Sequence, residues 1–325
     1  MKIDRASDLS RNVPFRLVAR WLTTGSLCLL CCAGLTEAAP ASTVCPCAAV
    51  ATAKCLPAWN QTTTPAGSNS FYAAAAFARN DVWAAGSRYD GIDDRPLAEH
   101  FDGSRWAIVT VPTPGAGAAY LRAVGGVSGT DVWAAGYQTT QSGAQQSLIE
   151  HYDGVAWTII PSANPASLAV YLSSIVAPAA NDVWAAGHYL DNTGVYRTLA
   201  ERWDGVSWTI VTTPNVGNGD NAVNGLATTA ANNVWAVGYS SSAPGGSTTS
   251  LILHFDGTIW SVVPTPSLGL TSSLSSVVAL LDGTVWAAGF YYDGTQTRTL
   301  LLRWDGSSFI AVPGGGGLSL SQRHQ

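Results

Sequence analysis

The stretch Ala180-Asn181-Asp182-Val183-Trp184-Ala185-Ala186-Gly187-His188-Tyr189 decides the fold, because it recurs. Its tryptophan returns as Trp83, Trp133, Trp184, Trp235 and Trp286, at spacings of 50, 51, 51 and 51 residues. A fixed period of that length over most of a chain marks a repeat architecture.

Working outward from each copy, the units share one order. A short apolar run opens the unit (Tyr171 to Val176 in the third), then a small turn, then the Val-Trp-Ala-Ala/Val-Gly strand. A variable polar loop follows, and a third run such as Ser147-Leu148-Ile149-Glu150-His151-Tyr152. Next comes an Asp-Gly turn, at Asp102, Asp153, Asp204, Asp256 and Asp305, with an aromatic three residues past each glycine: Trp106, Trp157, Trp208, Trp260 and Phe309. Asp-Gly between alternating apolar runs signals a hairpin, because a type I′ turn needs positive φ and glycine adopts it at little cost. Four short strands fill the period and leave no room for a helix, which is the pattern of a β-propeller blade. Composition agrees: 33 glycines, 13 tryptophans and only 11% charged residues suit strands joined by turns.

The expected fold is therefore an all-β propeller over residues 58–315, with five four-stranded blades; six blades are the alternative. Trp59-Asn60-Gln61-Thr62-Thr63-Thr64-Pro65 resembles the last strand of a unit whose first three strands are missing. Ring closure commonly pairs the two chain ends in one blade. This strand is accordingly placed at the edge of the fifth blade, replacing Phe309-Ile310-Ala311-Val312 or adding outside it. Trp83, Trp133, Trp184, Trp235 and Trp286, with Trp106, Trp157, Trp208 and Trp260, are assigned to packing between blades, each ring burying on the order of 150–250 Å².

Before the repeats, Lys2, Arg5, Arg11, Arg16 and Arg20 precede an apolar run from Trp21 to Leu35, and Thr36-Glu37-Ala38 offers small residues for cleavage after Ala38. Residues 1–38 read as a secretory signal peptide, so the mature chain is expected to be secreted or held in the cell envelope. A retained anchor is the competing reading, but fifteen apolar residues are short for a span of about 20. Residues 39–57 read as a linker carrying Cys45, Cys47 and Cys55, with Cys47 (or Cys45) bridging Cys55. That reading is favoured over a metal site, since no fourth ligand lies near. Residues 316–325 read as a disordered tail.

Formal charge is -5, and about -7 without residues 1–38. No basic patch with interleaved aromatics is present, which argues against nucleic acid as a partner. The acidity likewise argues against docking on an anionic membrane surface. No stable membrane span is expected once the signal is removed.

The order Val-Trp-Ala-Ala-Gly, variable loop, His-Tyr-Asp-Gly-x-x-Trp, Pro, as at Val132 to Pro161, resembles kelch-type repeats. It departs from them in having Ala-Gly or Val-Gly for Gly-Gly. The Asp-Gly-x-x-Trp piece is similar to the Asp-box turn of sialidase-like propellers, with one residue fewer between Asp and Gly. The whole looks like secreted bacterial propeller repeats of unassigned function. The resemblance implies a propeller and leaves function open, because fold does not fix function.

Residues that repeat belong to the scaffold. His100, His151 and His254 share one position with Arg202 and Arg303, so they read as solvated or blade-edge cations rather than metal ligands. Asp81, Asp131 and Asp182, with Asn233 in the fourth unit, read as side chains capping their own turn. Non-repeated residues are better candidates, and the loop after the second strand varies most. It holds Tyr89, Asp90, Asp93, Asp94 and Arg95 in the first unit, Tyr189, Asp191, Tyr196 and Arg197 in the third, and Tyr291, Tyr292, Asp293 and Arg298 in the fifth. Tyrosine faces beside Asp and Arg could bind a sugar. A glycosidase needs two carboxylates about 5–10 Å apart, and no unique pair is legible. Copper-oxidase chemistry would need a cysteine ligand, which the repeats lack; no metal or cofactor is implied. The expected function is an exported, non-catalytic binding module for a protein or glycan partner, with a carbohydrate-binding or carbohydrate-active propeller as the alternative.

Overall fold

The computed structural model describes residues 68–115 and 117–312, all within the unit Thr62–Gln325. The leader, the linker cysteines, the Trp59 strand and the tail lie outside the described residues. No described helix is long and apolar enough to cross a membrane, which says nothing about a β-barrel.

Twenty strands follow one another, four to a sheet. The first sheet is β1 (Asn69–Ala78), β2 (Asp81–Tyr89), β3 (Asp94–Phe101) and β4 (Trp106–Val109). The second is β5 (Ala119–Ser128), β6 (Asp131–Thr139), β7 (Gln145–Tyr152) and β8 (Trp157–Ile159). The third is β9 (Ala169–Ala179), β10 (Asp182–Leu190), β11 (Tyr196–Trp203) and β12 (Trp208–Ile210). The fourth is β13 (Asn221–Ala230), β14 (Asn233–Ser241), β15 (Thr248–Phe255) and β16 (Trp260–Val263). The fifth is β17 (Thr271–Ala279), β18 (Val285–Tyr292), β19 (Thr297–Trp304) and β20 (Phe309–Ala311). Each is an antiparallel meander, and a single parallel bridge, Gln145 to Ala169, links the second sheet to the third. Because β20 pairs with β19 through Trp304 and Phe309, the fourth place of the last sheet is filled by its own strand.

Consecutive sheets pack face to face, and in the first four the tryptophan of the second strand sits in the joint. Trp133 lies 5.3 Å from Trp203 and 5.6 Å from Trp208 of the next sheet, centroid to centroid. Trp83, Trp184 and Trp235 do the same against Trp157, Trp260 and Phe309, edge to face at 5.4–5.6 Å. All four are at most 4% exposed. The exposed rim of the joint is clamped. His100 and His151 stack on Trp83 and Trp133 while bonding Asp81 and Asp131 at 2.8 Å, and Arg202 over Trp184 bonds Asp182 at 2.7 Å. These aspartates hold the third strand rather than capping a turn, and Asn233 does so for His254 in the fourth sheet.

The Asp-Gly turns also differ from expectation. The register Trp203 to Trp208 leaves a four-residue loop, Asp204 to Ser207, where a type I′ turn would leave two. Asp204 Oδ1 accepts the N–H groups of Val206 and Ser207, each at 2.8 Å, and only Gly205 takes positive φ. A side-chain cap thus substitutes for the second left-handed residue.

Three third strands carry a buried carboxylate, two of them in joints between described sheets. Glu99, Glu150 and Glu201 occupy one register position and are 0% exposed, where the fourth and fifth sheets have Leu253 and Leu302. Glu201 accepts from Ser162 Oγ at 2.9 Å and Ala163 N–H at 3.2 Å. The equivalent places one unit earlier are Val111 and Pro112, which supply neither hydroxyl nor N–H, and both oxygens of Glu150 lack partners. Burial pushes the Glu201 carboxyl up to about 7 and that of Glu150 well above the ordinary range.

Among the described residues no comparable packing joins the fifth sheet to the first. Phe71 is 37% exposed where Leu121, Leu172, Val223 and Leu274 are at most 1%. Trp286 is likewise only half-buried.

Candidate functional site

The variable hairpins are three separate structures, on the first, third and fifth sheets. In the first, Asp90 Oδ1 accepts the N–H groups of Ile92 and Asp93, both at 2.9 Å, and Oδ2 takes Arg95 Nε at 2.7 Å. Tyr89 donates to the Gly91 carbonyl, as Tyr152 does to Gly154 and Tyr292 to Gly294. Tyr89-Asp90-Gly91 and Tyr292-Asp293-Gly294 are thus built like the scaffold turn Tyr152-Asp153-Gly154. Asp293 bonds the Thr295 and Gln296 N–H groups and Arg298, and Asp191 bonds Thr193, Val195 and Arg197. These donors hold the three carboxyls well below the usual range, so all three are anionic and already partnered. Tyr189 and Tyr291 pack on the joints between sheets. Arg95 and Asp90, with Arg88, Pro96, Leu97 and Thr113, line an open cavity of about 400 Å³, to which Asp93 adds a 3.6 Å contact on Arg95.

A different set of residues is brought together where the first strands begin and the second strands end. Gly187 faces β9 so closely that a methyl group on it would lie 1.9 Å from the Tyr171 carbonyl oxygen. Opposite each such glycine the first strand carries a bulge, which leaves one residue out of register: Tyr72, Arg122, Ser173, Asn224 and Ser275. Bulges re-aim side chains and are common beside binding sites. Past the glycine the sequence stops repeating, with Ser87, Tyr137, His188, Tyr239 and Phe290 at one position.

The side chains around these bulges form a continuous aromatic row. Tyr120 lies 5.0 Å from Tyr137, Tyr137 5.0 Å from Tyr171, Tyr171 5.2 Å from His188, and His188 5.1 Å from Tyr196. Spacings of this kind are those of stacked and edge-to-face pairs. At one end Tyr120 donates to Asp94 Oδ2 at 2.9 Å, and the Arg122 guanidinium sits 4.1 Å above the Tyr72 ring. In the middle Tyr171 donates to Gln145. At the other end Asp220 accepts the N–H groups of Tyr196 and Gly245, at 3.0 and 2.9 Å. Of the residues singled out from sequence as binding candidates, Tyr196 alone has its ring in the row.

Burial sets the electrostatics. It pushes the Tyr171 phenol up to about 12, and raises Tyr120, aided by Asp94, and Tyr137 and Tyr239 as well. It pushes His188 down to about 4, and the Nδ1 of that ring has no hydrogen-bond partner. At neutral pH Tyr120, Tyr137, Tyr171 and His188 are therefore uncharged, with Arg122 and Asp94 at one end of the row and Asp220 at the other. The signal for it lay inside the strands: when the five copies are aligned, the position after the repeated glycine varies as freely as any loop.

No protein-family model matches the chain, and no curated protein matches it in sequence. Solved structures do share its fold. The Hadza microbial sialidase Hz136 is 11% identical over 75% of this chain and 57% of its own, with a TM-score of 0.51. YCF48 bound to a D1 peptide is 14% identical over 78% and 72%, with a TM-score of 0.48. A GH74 xyloglucanase from Xanthomonas campestris is 12% identical over 75% and 38%, with a TM-score of 0.48. Identities this low speak to the fold alone: the chain is a β-propeller-like module of repeated four-stranded sheets. That fold carries a sialidase, which corrects the expectation of a non-catalytic protein, since the architecture gives no ground for setting catalysis aside.

Proposed function

We propose that the chain is an exported β-propeller that recognises carbohydrate, and that the sugar lies on the row Tyr120, Tyr137, Tyr171, His188 and Tyr196. The observation that carries this is the continuity of five rings over two neighbouring sheets, flanked by hydrogen-bonding groups. Pyranose rings present one apolar face and a rim of hydroxyls. Stacking on an aromatic with donors and acceptors at the edge is the arrangement that matches both. The packing between sheets does not demand a ring at the position of Tyr137 and His188, because the first unit carries Ser87 there. The loops holding Asp90, Arg95, Asp191 and Arg197 then flank the row as rigid, self-capped walls.

The same reading extends to the faces of the first and fifth sheets that no described sheet packs against. They are the repeat's two complementary halves of one joint, and the Trp59 stretch is assigned to that seam, outside β20. Replacing Trp59 with alanine should lower the melting temperature; an unchanged melt would remove Trp59 from the seam.

The test is a pull-down of the full chain on a panel of polysaccharides and a glycan array, with product analysis for cleavage. Retention on one polymer class, lost in Tyr171→Ala and Tyr137→Ala, is the expected result. Failure to bind any member of the panel would overturn the proposal. Released reducing ends would add a catalytic step, for which Asp94 and Asp220 are the carboxylates to vary.

A further inference from the structure

Resting on that carbohydrate reading, a specificity follows from Arg122. Nine arginines are described, and they fall into three groups. Arg95, Arg197, Arg202 and Arg298 each bond an aspartate, and Arg79, Arg88, Arg105 and Arg303 are exposed. Arg122 is half-buried and, among the described residues, has no carboxylate within ion-pair distance. Its guanidinium carbon sits 4.1 Å above the centroid of the Tyr72 ring, and no hydrogen bond among the described residues takes up its N–H donors. Asp94, at the same end of the row, is already an acceptor for Tyr120 and for Ser87. The bulge does not require a cation, since the equivalent residues are Tyr72, Ser173, Asn224 and Ser275. A planar guanidinium pre-oriented by stacking, with free edge donors, is the group best suited to take a carboxylate through two parallel hydrogen bonds.

We propose that Arg122 binds the carboxylate of an acidic sugar whose ring lies on the tyrosine row, so that the ligand class is uronate-bearing saccharide. Tyr72 is a positioning residue for the guanidinium, and Tyr137 offers the neighbouring hydroxyl.

The experiment measures binding of the full chain to polygalacturonate, to its methyl ester, to a neutral galactan and to polyglutamate, at low and moderate salt. The proposal expects polygalacturonate to bind about tenfold or more tightly than its ester. That preference for acid over ester should vanish in Arg122→Gln and weaken in Tyr72→Ala. Equal affinity for acid and ester, or an acid preference that survives in folded R122Q, overturns the specificity and leaves the carbohydrate reading standing. Binding of polyglutamate as strong as polygalacturonate overturns the saccharide assignment. Binding to none of the three polysaccharides overturns the specificity, while the carbohydrate reading is decided on the wider panel. Should R122Q fail to fold, the comparison of acid with ester on the unaltered chain decides.

Discussion

Each second strand is two regions divided by one glycine. Before Gly187, Asp182 to Ala186 is nearly identical in every unit, and its tryptophan is sealed between sheets. Beyond it, the residue at the next position is Ser, Tyr, His, Tyr or Phe, and it meets a bulged first strand. The difference teaches how a repeat separates stability from recognition. The joint must be filled in the same way each time. The region past the bulge adds no tryptophan to the joint and differs from unit to unit.

Substitutions on either side of Gly187 should break or sharpen that division, and the largest effect belongs to the joint. Trp184→Ala should cost about 3–5 kcal/mol in denaturant melts, as for other buried aromatics, while sugar affinity per folded molecule stays unchanged. A loss below about 1 kcal/mol would show that the joint does not depend on this ring.

Next in size is the pH response of the buried glutamates. The Glu201 carboxyl is raised in the folded chain, so its contribution is fully present below about pH 4.5 and is lost as pH rises to about 7. That loss amounts to about 3 kcal/mol, and Glu150, without the Ser162 and Ala163 donors, adds to it in the same direction. The turn aspartates Asp153, Asp204 and Asp256 are shifted the opposite way by their backbone donors, so their contribution is lost as pH falls below the ordinary carboxylate range. His188, pushed down to about 4 by burial, opposes the glutamates, since its contribution is lost as pH falls from about 6.5 to about 4, so stability measured against pH should be highest near pH 5–6 and fall toward pH 8. Glu150→Leu, which copies Leu253, should raise stability by about 2 kcal/mol at pH 8 and much less at pH 4. A maximum at pH 7 or above would refute this account of the joints.

Gly187→Ala forces a methyl into the Tyr171 carbonyl and should cost about 1–3 kcal/mol, with loss of sugar binding because the bulge itself shifts. The smallest change in stability belongs to the far region. Tyr137→Phe should alter the melt by less than about 0.5 kcal/mol, yet weaken binding wherever the hydroxyl is a donor.

The sheets could be read from sequence because each strand boundary is written five times, so any single irregular unit is outvoted by the others. Turn type could not. Asp-Gly gives the positive φ of Gly205, but the two N–H groups held by Asp204 depend on a register that composition does not reveal. The buried glutamates were hidden for a related reason. In Leu-Ile-Glu-His a charged residue in a strand looks like the solvent face, and only pairing with β6 and β8 puts Glu150 in a joint. The search for binding residues among variable loops rested on sound logic, since variation marks what the scaffold does not need. It met Tyr89-Asp90-Gly91, however, which is a copy of the scaffold turn inserted in a second place. The aromatic row lies within strands, where the two-residue alternation makes Tyr137 and His188 look like ordinary outward positions. The bulge that gathers them leaves no trace in the alternation.

The central claim is that recognition sits past the glycine and not in the hairpins. Calorimetric titration of the polysaccharide retained in the pull-down, into Tyr171→Ala and into the hairpin variant Asp191→Ala, tests it directly. Loss of affinity by about tenfold or more in the first and little change in the second is the predicted result. Equal binding by Tyr171→Ala and the unaltered chain, or loss confined to Asp191→Ala, would contradict it.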